Sequence, residues 1–468
     1  MKKMPELAYT PQSAWERYSS PRERKAMDVL AARYLDFLTT CKTERETVAY
    51  ALRFLQNAGY RDAFTGDLVV RPFKGKALFA ARRGTLPLNR GLHLISAHAD
   101  APRLDLKQRP LVEQAQVLQA KTHYYGGIRK YQWLARPLAL HGVLIRRDAS
   151  LLEVTLGEDP AEPVFAIADL LPHLAKDHGG QKISEGFAAE KLNLILGHCP
   201  ALKEAKDKDS PKEPVKQRIL DLLFKKYTLC EEDFISAEIQ AVPAGPARPV
   251  GLDGALLGGY GQDDRICVFA ALEALERGPR PAHSSALVLW DKEEIGSEGS
   301  TGAHSRFLDY CLEELAAAWQ PHMRLSECLL GSRALSADAA AGLDPDWQDL
   351  HDKQNAALMG YGPCFSKFTG SRGKYGANDA HAEYVGWMRG VLNARSIPWQ
   401  MAECGKVDQG GGGTVALFLA AYGMDVIDMG PPLLSMHSPF ELASKADLHA
   451  TVEAFAAFLA GTERRIGK

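Results

Sequence analysis

The sequence predicts an α/β protein in which a mixed sheet is sandwiched by helices and interrupted by a smaller β-rich insertion. Three observations carry this expectation. Short apolar or alternating runs bounded by Gly and Pro (LVVRPF, ALFAARR and GLHLISAHAD) follow an N-terminal helical pattern and open a sheet. The texture then changes to short strand-like pieces such as GVLIRRD and LLEVTLG, and α/β alternation resumes near residue 250. The simplest layout is one domain built from residues 1–104 and 246–468, with a second domain inserted at 105–245.

Each element has a local reason. Thr43 and Glu46 form a T-x-x-E capping box ahead of Val48, Ala51, Leu52 and Leu55, which predicts a helix ending at Gly59. In the insertion, the polar stretch KEAKDKDSPKEPVKQR at 203–218 reads as an exposed, mobile loop. DDRICVFAALEALERG reads as an amphipathic helix and ALVLW as a buried strand. PWQMAE, GGGTVALFLAAYG and DVIDMG read as strand, helix and strand. Ser438, Pro439 and Glu441 have capping-box spacing with Pro at the first helical position, which predicts a helix just after His437.

Composition narrows the class. The 468 residues carry 56 Lys+Arg against 58 Asp+Glu, a formal charge of -2, without a long basic run or an arginine-rich stripe. That argues against nucleic acid as the main partner. Apolar stretches are broken well before the roughly 18 to 20 residues a bilayer requires, so no membrane span is expected. MKKMPELAYTPQSAWERY has no apolar core and does not read as a signal peptide. The eight cysteines are scattered singly and read as reduced, mostly buried thiols of a cytoplasmic protein.

The chemistry-bearing residues cluster at the expected ends of strands. His98 and Asp100 alternate along an extended chain, so the carboxylate can reach the imidazole or a metal beside it. Asp263 and Asp264 stand at the start of the apolar helix, where helix capping is the simple explanation. ALVLW runs directly into Asp291, Lys292, Glu293 and Glu294. Adjacent side chains diverge, so one glutamate can bind a metal while its neighbour serves as general base. Asp338 in LSADAA and His437 in LLSMHSPFEL also follow strand-like runs. Together these residues make an N/O donor set suited to zinc, or to manganese or cobalt. A pair of metals needs two terminal His, two terminal carboxylates and one bridging carboxylate. His98, Asp263, Glu294, Asp338 and His437 fill that inventory and leave Glu293 as base.

SAHADAPRLDLK, YGQDDRICVFAALEAL, LWDKEEIGSEGSTGA, LSADAA and DMGPPLLSMHSPFEL, in this order, resemble the motifs of the aspartyl aminopeptidase family of di-zinc metallopeptidases. The resemblance implies a zinc exopeptidase-like catalytic domain with an inserted dimerisation domain. It implies that His98, Asp338, Glu294 and His437 divide between two metal ions bridged by Asp263, while Asp100 orients His98. It further implies removal of the N-terminal residue of short peptides through a metal-bridging water activated by Glu293. The carboxypeptidases and deacylases that share this donor set, and a non-catalytic assembly protein of the same fold, are the alternatives. The family also implies a tetrahedral dodecamer in which a His of the insertion completes a neighbour's site; His173 is the candidate, with His178 close by. Two departures weigh against acidic N-terminal residues as substrate. Ala340 stands where the acidic-substrate branch has His, and WLARPL replaces a D-R-D element. KFTGSRGKYGANDAHAEYVGW and GKVDQGGGGTV resemble instead a bacterial subgroup, with Lys374 and Lys406 as candidate substrate-binding cations.

Overall fold

The computed structural model describes residues 7–201 and 211–462. The chain folds into two compact units. The first takes the N-terminal part up to Ala101 and the chain from Pro246 onward, except for 437–439. The second takes Pro102–Gly245 together with His437–Pro439.

The first unit is a mixed α/β structure around an eight-stranded sheet. In spatial order its strands are Leu68–Phe73, Ala77–Arg82, Ser284–Trp290, Leu92–His98, Arg333–Ala337, Asp425–Gly430, Cys364–Ser366 and Gln400–Met401. The four from Ser284–Trp290 to Asp425–Gly430 run parallel. Their continuous apolar character follows from burial on both faces. Ile95, Leu287, Leu335 and Ile427 enter one core with the helices Pro21–Thr40, Gln262–Leu275 and Lys445–Leu459. Leu94, Val288, Ala334 and Val426 point the other way, into a second core with the helix Phe307–Trp319. A second, five-stranded sheet contains Leu256–Gly259 and, beside it, Glu441–Ser444.

Local chemistry explains the first helices. Thr43 Oγ1 accepts the Glu46 amide at 3.2 Å while the Glu46 carboxylate accepts the Thr43 amide at 2.9 Å, the reciprocal box that the spacing predicts. Ser20 and Glu23 build a second box, with Pro21 at the first helical position, and start the helix Pro21–Thr40.

Three expectations are corrected. The helix Gln262–Leu275 is buried on every side rather than amphipathic, because it lies inside the first core. No helix follows His437: Glu441–Ser444 is a strand paired with Leu256–Gly259, and the next helix starts at Lys445 behind the N-cap Ser444. Sheet pairing across the unit has overridden a local capping signal. Within the stretch read as a loop at 203–218, residues 203–210 lie outside the described residues, and Pro214 already begins the helix Pro214–Tyr227. Glu113 accepts the Val215 and Lys216 amides at 3.0 and 2.9 Å, supplying from another strand the cap that the helix's own sequence lacks.

The second unit is built on a six-stranded antiparallel sheet, in the order Leu151–Leu156, Leu138–Ile145, Ala237–Pro243, Arg103–Gln114, Val117–Tyr125 and Leu194–Gly197. GVLIRRD and LLEVTLG fall in two of these strands.

Candidate metal centre

The parallel strands of the first unit deliver their last residues to one place, as open α/β sheets do at their carboxyl edge. His98 ends its strand in register with Trp290. Ser96 is paired with Ser336, which brings Asp338 to the level of His98. Beyond Trp290 the chain turns through Asp291–Glu294.

Asp100 holds two parts of this arrangement at once. Its Oδ1 lies 3.0 Å from His98 Nδ1 and accepts the Glu293 amide at 3.1 Å, while Oδ2 accepts the Glu294 amide at 3.3 Å. With Nδ1 committed, the His98 Nε2 edge is the one turned to Asp263 Oδ1, 3.4 Å away, and to Asp338 Oδ1 at 4.0 Å. His98, Asp263 and Asp338 each offer a ligand atom within 4.8 Å of the others, and His98, Glu293 and Glu294 do so as well.

Asp263 reaches this position because the chain is not yet helical there. Its φ and ψ are −79° and 109°, and those of Asp264 are −115° and 25°. Capping alone does not account for the pair: Asp264 Oδ2 also accepts the His98 amide at 3.4 Å, and Asp263 Oδ1 lies 3.4 Å from His98 Nε2.

The electrostatics fit a cation. His98, Asp263 and Asp264 are buried, and Asp338 nearly so. Burial, reinforced by the like charge of Asp263, pushes the carboxyls of Asp264 and Asp338 well above the usual range. Burial alone would deprotonate His98, but hydrogen bonds to Asp100 and Asp263 outweigh it and hold the imidazole well above its ordinary value. Buried acids crowded around one imidazole make a site that favours added positive charge. A divalent metal would supply that charge, and imidazole with carboxylate oxygens is a donor set that zinc accepts.

The remaining sequence candidates lie as follows. His437 belongs to the second unit, has φ +63°, and its Nδ1 is 3.0 Å from the Gly127 carbonyl oxygen. His173 lies exposed in the short helix Pro172–Leu174, and the His178 ring packs edge-on to Phe187 at 5.8 Å. Lys374 is bound to Asp379 at 3.0 Å and sits over the Phe368 ring, while Lys406 is exposed. Both lysines line a small cavity of about 90 Å³ with the glycine-rich segment at 410–412. Sequence reasoning missed the clasp of Lys367 and Lys374 on Asp379, and the anchoring of Asp291 by Thr301 at 2.5 Å. Nothing in the spacing of these residues announces either one.

Residues 37–459 match the aminopeptidase I zinc metalloprotease family, M18. A probable M18 family aminopeptidase 1 of Thermotoga maritima is 47% identical over 93% of this chain and 96% of its own length. The corresponding protein of Clostridium acetobutylicum is 42% identical over 96% and 97%. The crystal structure of the M18 aminopeptidase from Thermotoga maritima superposes with a TM-score of 0.91 at 44% identity, covering 97% of this chain and 100% of that one. These matches do not favour a carboxypeptidase, a deacylase or a non-catalytic assembly protein. The chain belongs to the M18 family of zinc metalloproteases and is an aminopeptidase of its bacterial branch.

Proposed function

We propose that the chain removes N-terminal residues from short peptides at a two-metal centre made by His98, Asp263, Glu294, Asp338 and His437, with Glu293 as general base. The observation that carries this reading is the approach of His98 Nε2 to both Asp263 and Asp338, with Asp100 fixing the opposite ring nitrogen. The Gly127 carbonyl at His437 Nδ1 supports the same tautomer there, leaving Nε2 as the ligand atom. When bound, the chemistry that the two divalent ions supply is acidification of a water and polarisation of the scissile carbonyl. Zinc is the favoured metal, with manganese and cobalt compatible with the same donors.

The chain's own residues do the rest. Glu293 takes a proton from the attacking water as its oxygen bonds to the carbonyl carbon, and returns that proton to the leaving amine as the C–N bond breaks. Two of its amide contacts to Asp100 keep its turn fixed beside His98. Surrounding carboxylates neutralise the substrate's free α-amino group, which confines hydrolysis to chain ends. Asp263 would be a ligand of the metal pair, next to His98 and Asp338.

The proposal extends to assembly. The inserted unit acts in dimerisation, and the whole forms a homo-oligomer, a tetrahedral dodecamer, in which His173 reaches a neighbour's site. The yeast mApe1 dodecamer, 21% identical with a TM-score of 0.72, shares the fold, and its being a dodecamer supports the homo-oligomer alone. Lys374 and Lys406 line a side-chain subsite. Eight free cysteines, five of them buried, are consistent with a cytoplasmic location, and among the described residues no helix is long and apolar enough to cross a membrane.

The test is a panel of aminoacyl-4-nitroanilides and short peptides, run on metal-free protein and again after zinc, manganese or cobalt is returned. Metal-dependent release of free N-terminal amino acids is expected. No release with any metal, from protein that binds the ions, would overturn the reading.

A further inference from the structure

Glu441 is a buried carboxylate for which the chemistry above has no use. It is 1% exposed and begins the strand Glu441–Ser444, opposite Gly259. Its Oε2 accepts the amide of Gln262 at 2.5 Å and that of Asp263 at 3.3 Å, and its backbone carbonyl accepts Gln262 Nε2 at 2.7 Å.

These amides lie at the kinked entry to the helix Gln262–Leu275, ahead of its regular turns, where N–H groups lack an intrahelical partner. The preceding residue usually satisfies them through its side chain. Here that residue is Gly261, with φ +69°, and a Cβ on it would meet Arg265 Nη1 at 1.8 Å. A side chain at that φ is strained, and the acceptor comes instead from a distant strand. Its negative charge also suits the positive end of the helix. Tyr34 completes the arrangement by donating to Gln262 Oε1 at 3.1 Å.

We infer that Glu441 is the positioning residue for Asp263: by holding the Gln262 and Asp263 amides it keeps Asp263 out of helical geometry, with its carboxylate turned to His98 and Asp338. This rests on the proposed reading of Asp263 as a metal ligand. Outer partners of metal ligands typically govern affinity by about 10- to 100-fold.

The experiment measures zinc affinity of the full-length, metal-free protein by competition with a chromophoric chelator, alongside thermal melting. Glu441→Ala is expected to weaken zinc binding by about 10- to 100-fold, and Glu441→Gln, which keeps an acceptor oxygen at the same reach, to recover most of that loss. Where Glu441→Ala fails to fold, Glu441→Asp withdraws the acceptor by one methylene and is expected to weaken zinc in the same direction. Zinc affinity unchanged in the folded Ala or Asp variant would overturn the inference. Asp263→Asn separates the two claims. If it weakens zinc while the Glu441 variants do not, the positioning role alone fails; if it leaves zinc binding unchanged, the ligand reading fails and takes the positioning role with it.

Discussion

Two charged regions of the first unit contrast in how their charges are satisfied. At the strand ends, His98, Asp263 and Asp264 are packed together out of water with Asp338 nearly so, and burial displaces the carboxyls of Asp264 and Asp338 upward. In the glycine-rich region, Lys367 and Lys374 close on Asp379, whose side chain is 48% exposed and whose carboxyl those lysines hold below its usual range. The first region would gain from an added cation on the proposed reading; the second already contains its own counter-charges. Charge count would not separate them. Burial does, which is why chemistry is proposed for the first and only a side-chain subsite for the second.

The largest expected effect tests this contrast at its centre. Glu293→Gln should lower kcat by about 10²- to 10⁴-fold, the usual contribution of a general acid–base group, with metal content and melting temperature retained. Near-normal turnover would remove the role of Glu293. Next, chelation should destabilise the first unit, since a ligand at a hundredfold excess over its Kd contributes about 2.7 kcal/mol. Calorimetry with and without chelator should show a lower Tm for the metal-free protein, and an unchanged Tm would mean that the crowded carboxylates need no cation. Asp100→Ala should then weaken metal affinity or activity by about 10- to 100-fold, because His98 loses its orienting partner and the Glu293–Glu294 turn loses its acceptor.

The smallest effect belongs to the glycine-rich region. Asp379→Ala breaks a largely exposed clasp, so it should change stability by no more than about 1 kcal/mol. The folded-state pKa of Asp379 is depressed, so the clasp contributes above the unfolded carboxylate value of about 3.9 and is lost only as pH falls through the lower folded value. Melting between about pH 6 and pH 8 should therefore be flat in this respect. The released lysines should raise the rate on substrates with an acidic first residue relative to neutral ones, and an unaltered profile in the anilide panel would take Lys374 out of the subsite.

How much of this was legible beforehand follows the range of the interactions. The Thr43–Glu46 box and the strands LVVRPF, ALVLW and DVIDMG were readable because their causes lie within a few residues. His98, Glu293, Glu294 and Asp338 were readable as strand-end residues because apolar runs point at them. Glu441 was misread, because its capping-box spacing is a local signal and its actual partners, the amides of Gln262 and Asp263, stand far away in sequence. The kink at Asp263–Asp264 was hidden for the same reason. The helix Pro214–Tyr227 begins within a charged run and takes its cap from Glu113, a hundred residues upstream, so the segment alone resembles a loop. Asp379 gave no signal, since a lone aspartate among glycines and lysines has many equivalent explanations.

The most direct test of the central claim is to titrate zinc into metal-free protein and follow hydrolysis of a neutral aminoacyl-4-nitroanilide against equivalents added. Turnover should rise from near zero and break at two zinc ions per chain, and the same titration of Glu293→Gln should bind both ions without turnover. A break at one equivalent, or turnover indifferent to zinc, would contradict a two-metal centre at these strand ends.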